Sequence, residues 1–498
     1  AQNMSSHPVN EPILNYAPGS EERKALKAEI NRQMSEVIEI PCIINGKEIY
    51  TNNTVTQVIP HNHGHILANV HLAGRSEIES ACTSAVQAQS GWIDMGLEGR
   101  ASIFERCADL LAGDWRMKVN AATMLNQSKT VFQAEIDAAC ELIDFWRFNA
   151  YYTRQFHDQF QPLVSPEGIA NTTEIRPLEG FVLAITPFNF SSIAGNLPSA
   201  PALVGCTALW KPSRNSYYSN YMLMLLMMEA GLPPGVINFL PGSGAEITEV
   251  ALSNPDFAGV HFTGSTTVFQ GLWQRVAEAL PGLKGYPRVV GETGGKDFVV
   301  AHPDCDRQGL LVALLRGAFE YQGQKCSAAS RAYIPKSVWD AINGNLISEI
   351  KKIKMGDCSD FSNFMTAVID KRAFEKITGY IGRAKKRECC EIVVGGGSDD
   401  STGWFIEPTI IVTNNPQSES MVQEIFGPVL TVYVYEDNDF EDVLELCDKS
   451  SPYALTGSIF ATSEENIQKA YEALRFTAGN FYINDKPTGA VVGQQPFG

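Results

Sequence analysis

The sequence is short of basic residues, of paired cysteines and of long apolar runs, and each shortage closes a class of function. Lysine and arginine number 39 against 56 aspartates and glutamates, a net charge of −17. A surface of that sign repels the phosphate backbone and anionic lipid, so neither nucleic acid nor membrane is expected as a partner. No apolar stretch approaches the roughly 20 residues that span a bilayer. The longest, Tyr221 to Met228, runs into Glu229-Ala230-Gly231 and reads as a buried helix stopped by glycine. The 11 cysteines are odd in number and include no Cys-x-x-Cys pair, which argues for a reducing compartment over a disulfide framework. Cys389 and Cys390 are adjacent and expected to stay unpaired. No Gly-x-Gly-x-x-Gly occurs, so the standard dinucleotide fingerprint is missing. Repeats and low-complexity segments are absent too. Ala1 to Tyr16 is polar and reads as a trimmed end, with no presequence in view.

What is present is an ordinary globular composition, 44% apolar and 19% charged over 498 residues, long enough for two or three domains. A helix over 21–35 precedes a hairpin turning at Asn45-Gly46. Amphipathic helices follow at 77–90 and 100–111. Another spans Thr130 to Tyr152, where Glu141 and Asp144 share a face that reads as solvated. His61-Asn62-His63-Gly64-His65 alternates histidine without a nearby Cys or carboxylate, so no metal site is expected there. Gln161 to Ile175, polar with two prolines, reads as a strand-loop excursion.

From Leu178 strands alternate with helices. Gly180 to Ile185 is an apolar strand of the buried-sheet type, ending in Thr186-Pro187-Phe188-Asn189. An amide at the C-terminal end of such a strand faces the crevice where ligands bind, and Asn189 could donate to an oxyanion. A second strand, Thr207 to Trp210, delivers Lys211, which could bond ribose hydroxyls. Val260 to Ser265 runs into a helix starting near Thr266. Ser265 at that helix start suits a pyrophosphate, because free N–H groups and the helix dipole point there.

The chemistry concentrates between Gly291 and Ser327. Glu292 lies in the Gly-rich turn Gly291-Glu292-Thr293-Gly294-Gly295, and Cys326 closes Gly323-Gln324-Lys325-Cys326-Ser327. Glycines bring backbone close to a ligand. A cation such as Lys325 favours the thiolate form of its neighbour. The carboxylate could take a proton from that thiol or from a water. An alternative is a cysteine hydrolase pairing Cys326 with His261 or His302, neither of which has an obvious orienting carboxylate.

Glu292-Thr293-Gly294-Gly295-Lys296 and Gly323-Gln324-Lys325-Cys326, together with Pro187-Phe188-Asn189, Lys211-Pro212-Ser213, Phe262-Thr263-Gly264-Ser265 and Glu424-Ile425-Phe426-Gly427-Pro428, resemble the signatures of the aldehyde dehydrogenase superfamily over nearly the whole chain. The resemblance implies an α/β fold: a variant Rossmann dinucleotide-binding domain over 1–160 and 176–290, a small β oligomerisation flap with a hairpin over 161–175, and an α/β catalytic domain over 291–490. It implies Cys326 as nucleophile, Glu292 as general base and Asn189 as oxyanion donor. NAD is the implied cofactor, held by Thr186, Lys211, Gly264, Ser265, Glu424 and Phe426. Arg214 stands where the family is often acidic, and could meet a 2′-phosphate.

Asn484-Asp485-Lys486 and Gly493-Gln494-Gln495-Pro496-Phe497 are most similar to members that oxidise glutamate γ-semialdehyde to glutamate in proline catabolism. Those members imply a substrate site of Glu141, Phe190, Lys325, Ser327, Gly489, Ala490 and Phe497, with the carboxylate near Lys325, Ser327 and the 489–490 backbone. Pro487, where Ser is usual, removes a donor beside that loop; the alternatives are a dehydrogenase for another carboxylated semialdehyde and a homologue that binds dinucleotide without turnover. The resemblance further implies a mitochondrial matrix enzyme. It implies a homodimer formed when an arm beyond Gly498 crosses to a partner with the 161–175 excursion.

Overall fold

The computed structural model describes residues 7–496. The chain divides into two compact units, one of residues 1–58, 66–127 and 134–291, the other of residues 59–65, 128–133 and 292–498.

In the first unit seven strands form one sheet among the described residues: β1 (Cys42–Ile44), β2 (Lys47–Ile49), β3 (Phe181–Ile185), β4 (Thr207–Lys211), β5 (Ile237–Phe239), β6 (Phe257–Gly264) and β7 (Arg288–Thr293). Their order is β7-β6-β3-β4-β5-β1-β2. Strands β6, β3, β4 and β5 are parallel neighbours. That arrangement requires crossovers, and helices such as Ser191–Leu203 between β3 and β4 supply them. Parallel strands covered on both faces must be apolar throughout, and Phe181, Leu183, Leu209, Val260 and Phe262 pack with Ile78, Ala81 and Ala85 of helix Arg75–Asp94. The hairpin β1-β2 turns at Asn45 (φ 53°) and Gly46 (φ 70°), the two left-handed positions a two-residue turn demands.

Two expectations need correction. The helix read over 130–152 is interrupted: Val131–Ala134 is α-helical, Glu135–Glu141 is a π-helix and Leu142–Gln159 is α-helical again. Buried acids account for the irregular turn. Glu135 is fully buried against Arg116, Tyr16 and Asn120. Asp144 is not on a solvated face either; its carboxylate accepts from Asn10 Nδ2 and the Glu11 N–H, each at 2.8 Å. The second correction is the 161–175 excursion, which contains no strand. Pro162 and Pro166 lack donors, and the two arms meet through the Gln161 amide and the Thr173 backbone, at 3.3 and 3.4 Å, and through the Asn171 N–H, which donates to Ser165 Oγ at 3.0 Å.

The second unit carries β8 (Phe298–Ala301), β9 (Arg331–Pro335), β10 (Cys390–Val394), β11 (Thr409–Thr413), β12 (Val429–Tyr435), β13 (Thr456–Phe460) and β14 (Asn480–Ile483), in the order β10-β11-β12-β9-β8-β13-β14. Only β10 runs antiparallel to its neighbour. Val299, Ala332, Leu430 and Val432 pack with Leu310 and Leu314 of helix Arg307–Phe319. The Cys389 and Cys390 sulfurs lie 3.7 Å apart without a bond, as expected.

Candidate active site

In the first unit the implied residues lie at the C-terminal ends of parallel strands. Thr186 follows β3, and its hydroxyl accepts from Trp210 Nε1 at 3.0 Å. Asn189, 3% exposed, sits between β3 and helix Ser191–Leu203, whose first two N–H groups donate to the Asp137 carboxylate at 3.0 and 2.9 Å. Gln127 holds the Phe188 carbonyl. The turn bearing Asn189 and Phe190 is thus fixed from the π-helix and from Gln127, and Glu141 closes the same π-helix.

Lys211 ends β4 beside the first turn of helix Gly244–Ser253; a Cβ on Gly244 would meet its Cε at 3.5 Å. Burial, with Arg214 adding repulsion, lowers the Lys211 ammonium to about 8. A buried ammonium at a strand end suits the phosphates and hydroxyls of a nucleotide. Gly264 ends β6, where a Cβ would press on the Phe262 ring, itself stacked on Phe269 at 5.3 Å. Ser265 caps helix Thr266–Ala279 without a side-chain hydrogen bond, which leaves first-turn N–H groups for an anion. Without the glycine fingerprint, these parts still fit a dinucleotide.

The second unit gathers its groups at the opposite, N-terminal, edge of its sheet. Asp297, just before β8, ties that edge together. Its carboxylate accepts from the Leu455 N–H and Thr456 Oγ1, and its carbonyl from the Ser330 and Arg331 N–H groups. Burial raises its carboxyl to about 8. The Thr456 hydroxyl reaches the Ser327 carbonyl at 3.3 Å, and so anchors the residue after Cys326.

Glu292 ends β7. Its Oε1 is buried and bonded to nothing, and burial raises its carboxyl. Two residues on, Gly294 has no room for a side chain, because a Cβ would collide with Glu424 Oε1. Glu424 itself is raised by burial, offset by Lys376, Lys296 and the Gly295 N–H. Gly323 (φ 66°) is held against the Gly427 carbonyl, where a Cβ would again collide. The three motifs around Glu292, Cys326 and Glu424 therefore interlock. Phe426, with φ 59°, turns the chain between Glu424 and Gly427.

Cys326 is partly exposed, in contrast to the eight buried cysteines. Ser327 Oγ lies 2.8 Å from Thr488 Oγ1, and Lys486 Nζ donates to the Thr488 carbonyl at 3.0 Å. This brings the Cys326 loop to Gly489 (φ 105°) and Ala490. Pro487 fits: its Cδ faces Gly317 of helix Arg307–Phe319. Phe497 lies outside the described residues.

Lys325 departs from expectation. Its ammonium is buried and paired with Glu320 Oε2 at 3.2 Å, so its charge is spent inside the loop rather than offered to a carboxylate. A buried ammonium requires such a partner. His302, contrary to expectation, does have a carboxylate, Asp304 at 2.9 Å. It follows the C-terminal end of β8, however, about 13 Å of strand from the edge that holds Cys326. Sequence reading missed Thr488, Glu320 and Asp297. Thr488 and Asp297 each adjoin a quoted motif, but nothing local marks Glu320 as the partner of Lys325.

Among the alternating histidines, His63 bonds the Asp400 carbonyl and lies against Trp404. His61 is buried, and burial lowers its imidazole to about 4.

Residues 49–498 match the Aldehyde dehydrogenase family. The chain is 51% identical over 493 residues to mitochondrial delta-1-pyrroline-5-carboxylate dehydrogenase of Dictyostelium discoideum, covering 99% of this chain and 88% of that protein. It is 45% identical to the human mitochondrial protein of the same name, covering 98% and 87%. The crystal structure of Delta-pyrroline-5-carboxylate dehydrogenase from Mycobacterium tuberculosis bound with NAD superposes with a TM-score of 0.96 at 49% identity, over 100% of this chain and 92% of that one.

Proposed function

The chain belongs to the aldehyde dehydrogenase family, and on that premise we propose that it oxidises L-glutamate γ-semialdehyde, the open form of Δ1-pyrroline-5-carboxylate, to L-glutamate in proline catabolism, with NAD as cofactor. The observation that carries the reading is Glu292, a carboxylate with a buried, unbonded oxygen in a turn interlocked with the Cys326 loop. A protein does not leave such a group unpaired without use for it.

Cys326 Sγ attacks the aldehyde carbon and forms a thiohemiacetal. The Asn189 amide and the Cys326 N–H are the donors for its oxygen. NAD, when bound, supplies the acceptor for the hydride whose loss converts that adduct to a thioester. Glu292 then takes a proton from water, the water oxygen attacks the thioester carbonyl, and the Cys326 thiolate leaves. Lys211, Gly264 and Ser265 are the groups for the adenosine half of the dinucleotide, with Thr186 nearby at the end of β3. Glu424 and Phe426 are the groups for the nicotinamide ribose.

The substrate's far carboxylate is given to Ser327, Thr488 and the Gly489 and Ala490 N–H groups. The family resemblance assigns Phe190 and Phe497 to its aliphatic part and Glu141 to the aldehyde end. Lys325 acts here by holding the loop. The same reading includes a homodimer and the mitochondrial matrix; the names of the Dictyostelium and human relatives support a mitochondrial location. Among the described residues no helix is long and apolar enough to cross a membrane.

The test is NADH formation with pyrroline-5-carboxylate, run beside propanal and beside NADP. Selective turnover of pyrroline-5-carboxylate with NAD is the expected result. Silence on every aldehyde while dinucleotide still binds would overturn it in favour of a binding protein.

A further inference from the structure

The histidine at position 61 meets two residues far away in sequence. Its ring, Asp357 and Cys358 each direct one ligand atom into a common space, and the three atoms lie within 4.8 Å of one another. His61 Nε2 stands 3.6 Å from Asp357 Oδ1. That is too long for a hydrogen bond. It is close to the edge of about 3.4 Å that two ligands share around a tetrahedral ion with bonds of about 2.1 Å.

The surroundings are built. His61 Nδ1 is bonded to Ser128 Oγ at 2.8 Å, which turns Nε2 toward the other two groups. Ser128 is itself immobilised: it is fully buried at φ 52°, and its carbonyl accepts from Gln322 Nε2 at 3.1 Å and Thr366 Oγ1 at 2.9 Å. A ring nitrogen fixed by an outer hydrogen bond is the usual mark of a metal-ligating histidine. The Asp357-Cys358 turn is pinned as well. The Asp357 carbonyl accepts from Asn363 Nδ2 at 2.8 Å, its Oδ1 from the Ser359 N–H at 2.7 Å, and Gly356 N–H reaches the Met365 carbonyl. Gly403 packs so tightly on the His61 backbone that a Cβ there would come within 2.6 Å. His61 and Cys358 are buried while the Asp357 side chain is half exposed, which leaves an entry path from solvent.

We propose that His61, Asp357 and Cys358 form a binding site for a borderline divalent cation of the zinc class, remote in sequence from every motif assigned to the dehydrogenase reaction. One imidazole nitrogen, one carboxylate oxygen and one sulfur are the ligands zinc takes, and three protein ligands leave a fourth position for water. Binding exchanges the Cys358 thiol proton, released to bulk water, for a sulfur–metal bond.

The test uses the full chain carrying Cys326→Ser, so that the nucleophile cannot contribute a sulfur ligand. Chelator-treated protein is titrated with cobalt(II) and then with competing zinc, following sulfur-to-cobalt charge transfer and bound metal by elemental analysis. One equivalent of cobalt with a charge-transfer band, displaced by zinc, is expected. Adding Cys358→Ser removes the band. Asp357→Asn, at a half-exposed position that tolerates change, weakens binding by tenfold or more with the fold intact by circular dichroism. Absence of bound metal overturns the proposal, as does a cobalt complex that neither substitution alters.

Discussion

At Glu292 burial holds the carboxyl above its usual range, so the proton stays on to a higher pH than on an exposed glutamate. Only the ionised form can accept a proton from water, so thioester hydrolysis should speed up as pH rises through the raised value. Glu292→Gln should abolish that rise and slow steady-state turnover by about 10²- to 10⁴-fold, while a single burst of NADH survives in rapid-mixing experiments. The sign for stability is opposite. A raised carboxyl contributes stability below its unfolded pKa, and that contribution is lost as pH rises through the folded value, so the glutamine variant should melt higher at neutral pH. Lys325 makes a second prediction. Its bond to buried Glu320, which also accepts from Arg316 at 2.7 Å, makes it a support of the loop. Lys325→Met should cost about 3 kcal/mol in denaturant unfolding and change KM for carboxylated and neutral aldehydes alike. A selective rise for the carboxylated substrate would restore it to the binding site. Cys326 and Glu292 were legible from their glycine-rich settings. The Lys325 pairing was not, because its partner lies five residues back on a backbone turned by Tyr321 and Gln322 at positive φ.

Among the elements, the strands of both sheets were the most readable, since parallel pairing buries both faces and leaves continuous apolar runs such as Phe181–Ile185 and Phe298–Ala301. Asn45-Gly46 announced its hairpin by turn chemistry alone. The π-helix at Glu135–Glu141 was hidden because its cause is tertiary: acids that complete Arg116 and the helix after Asn189. The excursion at 161–175 read as strand-loop from a polar stretch with two prolines, yet a strand needs a neighbour to accept its bonds. The interlock of turns gives an element-scale prediction. Gly294→Ala would force the Glu424 carboxylate from its place. KM for NAD should then rise tenfold or more, with KM for the aldehyde changing less, as steady-state kinetics would show. Unchanged KM for NAD would remove Glu424 from the cofactor site.

Over the whole molecule, ligand binding and folding are linked. NAD at about 100 times its Kd should add about 2.7 kcal/mol to stability and raise the melting temperature. Lys211→Met should reduce that gain by weakening the binding behind it, which a calorimetric scan at several NAD concentrations can follow. The acidic surface limited what composition could reveal: a net charge of −17 argues against nucleic acid and anionic membrane but is silent about a local corner such as Lys211 with Arg214. The division of the chain was legible only in outline, because the second unit draws residues 59–65 and 128–133 from within the first unit's stretch of sequence. Those two short pieces leave the ribosome early and find their neighbours late. At roughly 5–20 residues per second, tens of seconds pass between the synthesis of residue 133 and that of residue 498. During that interval Ser128, Lys129 and His61 have no completed core to enter, and they are the segments a chaperone has most reason to hold.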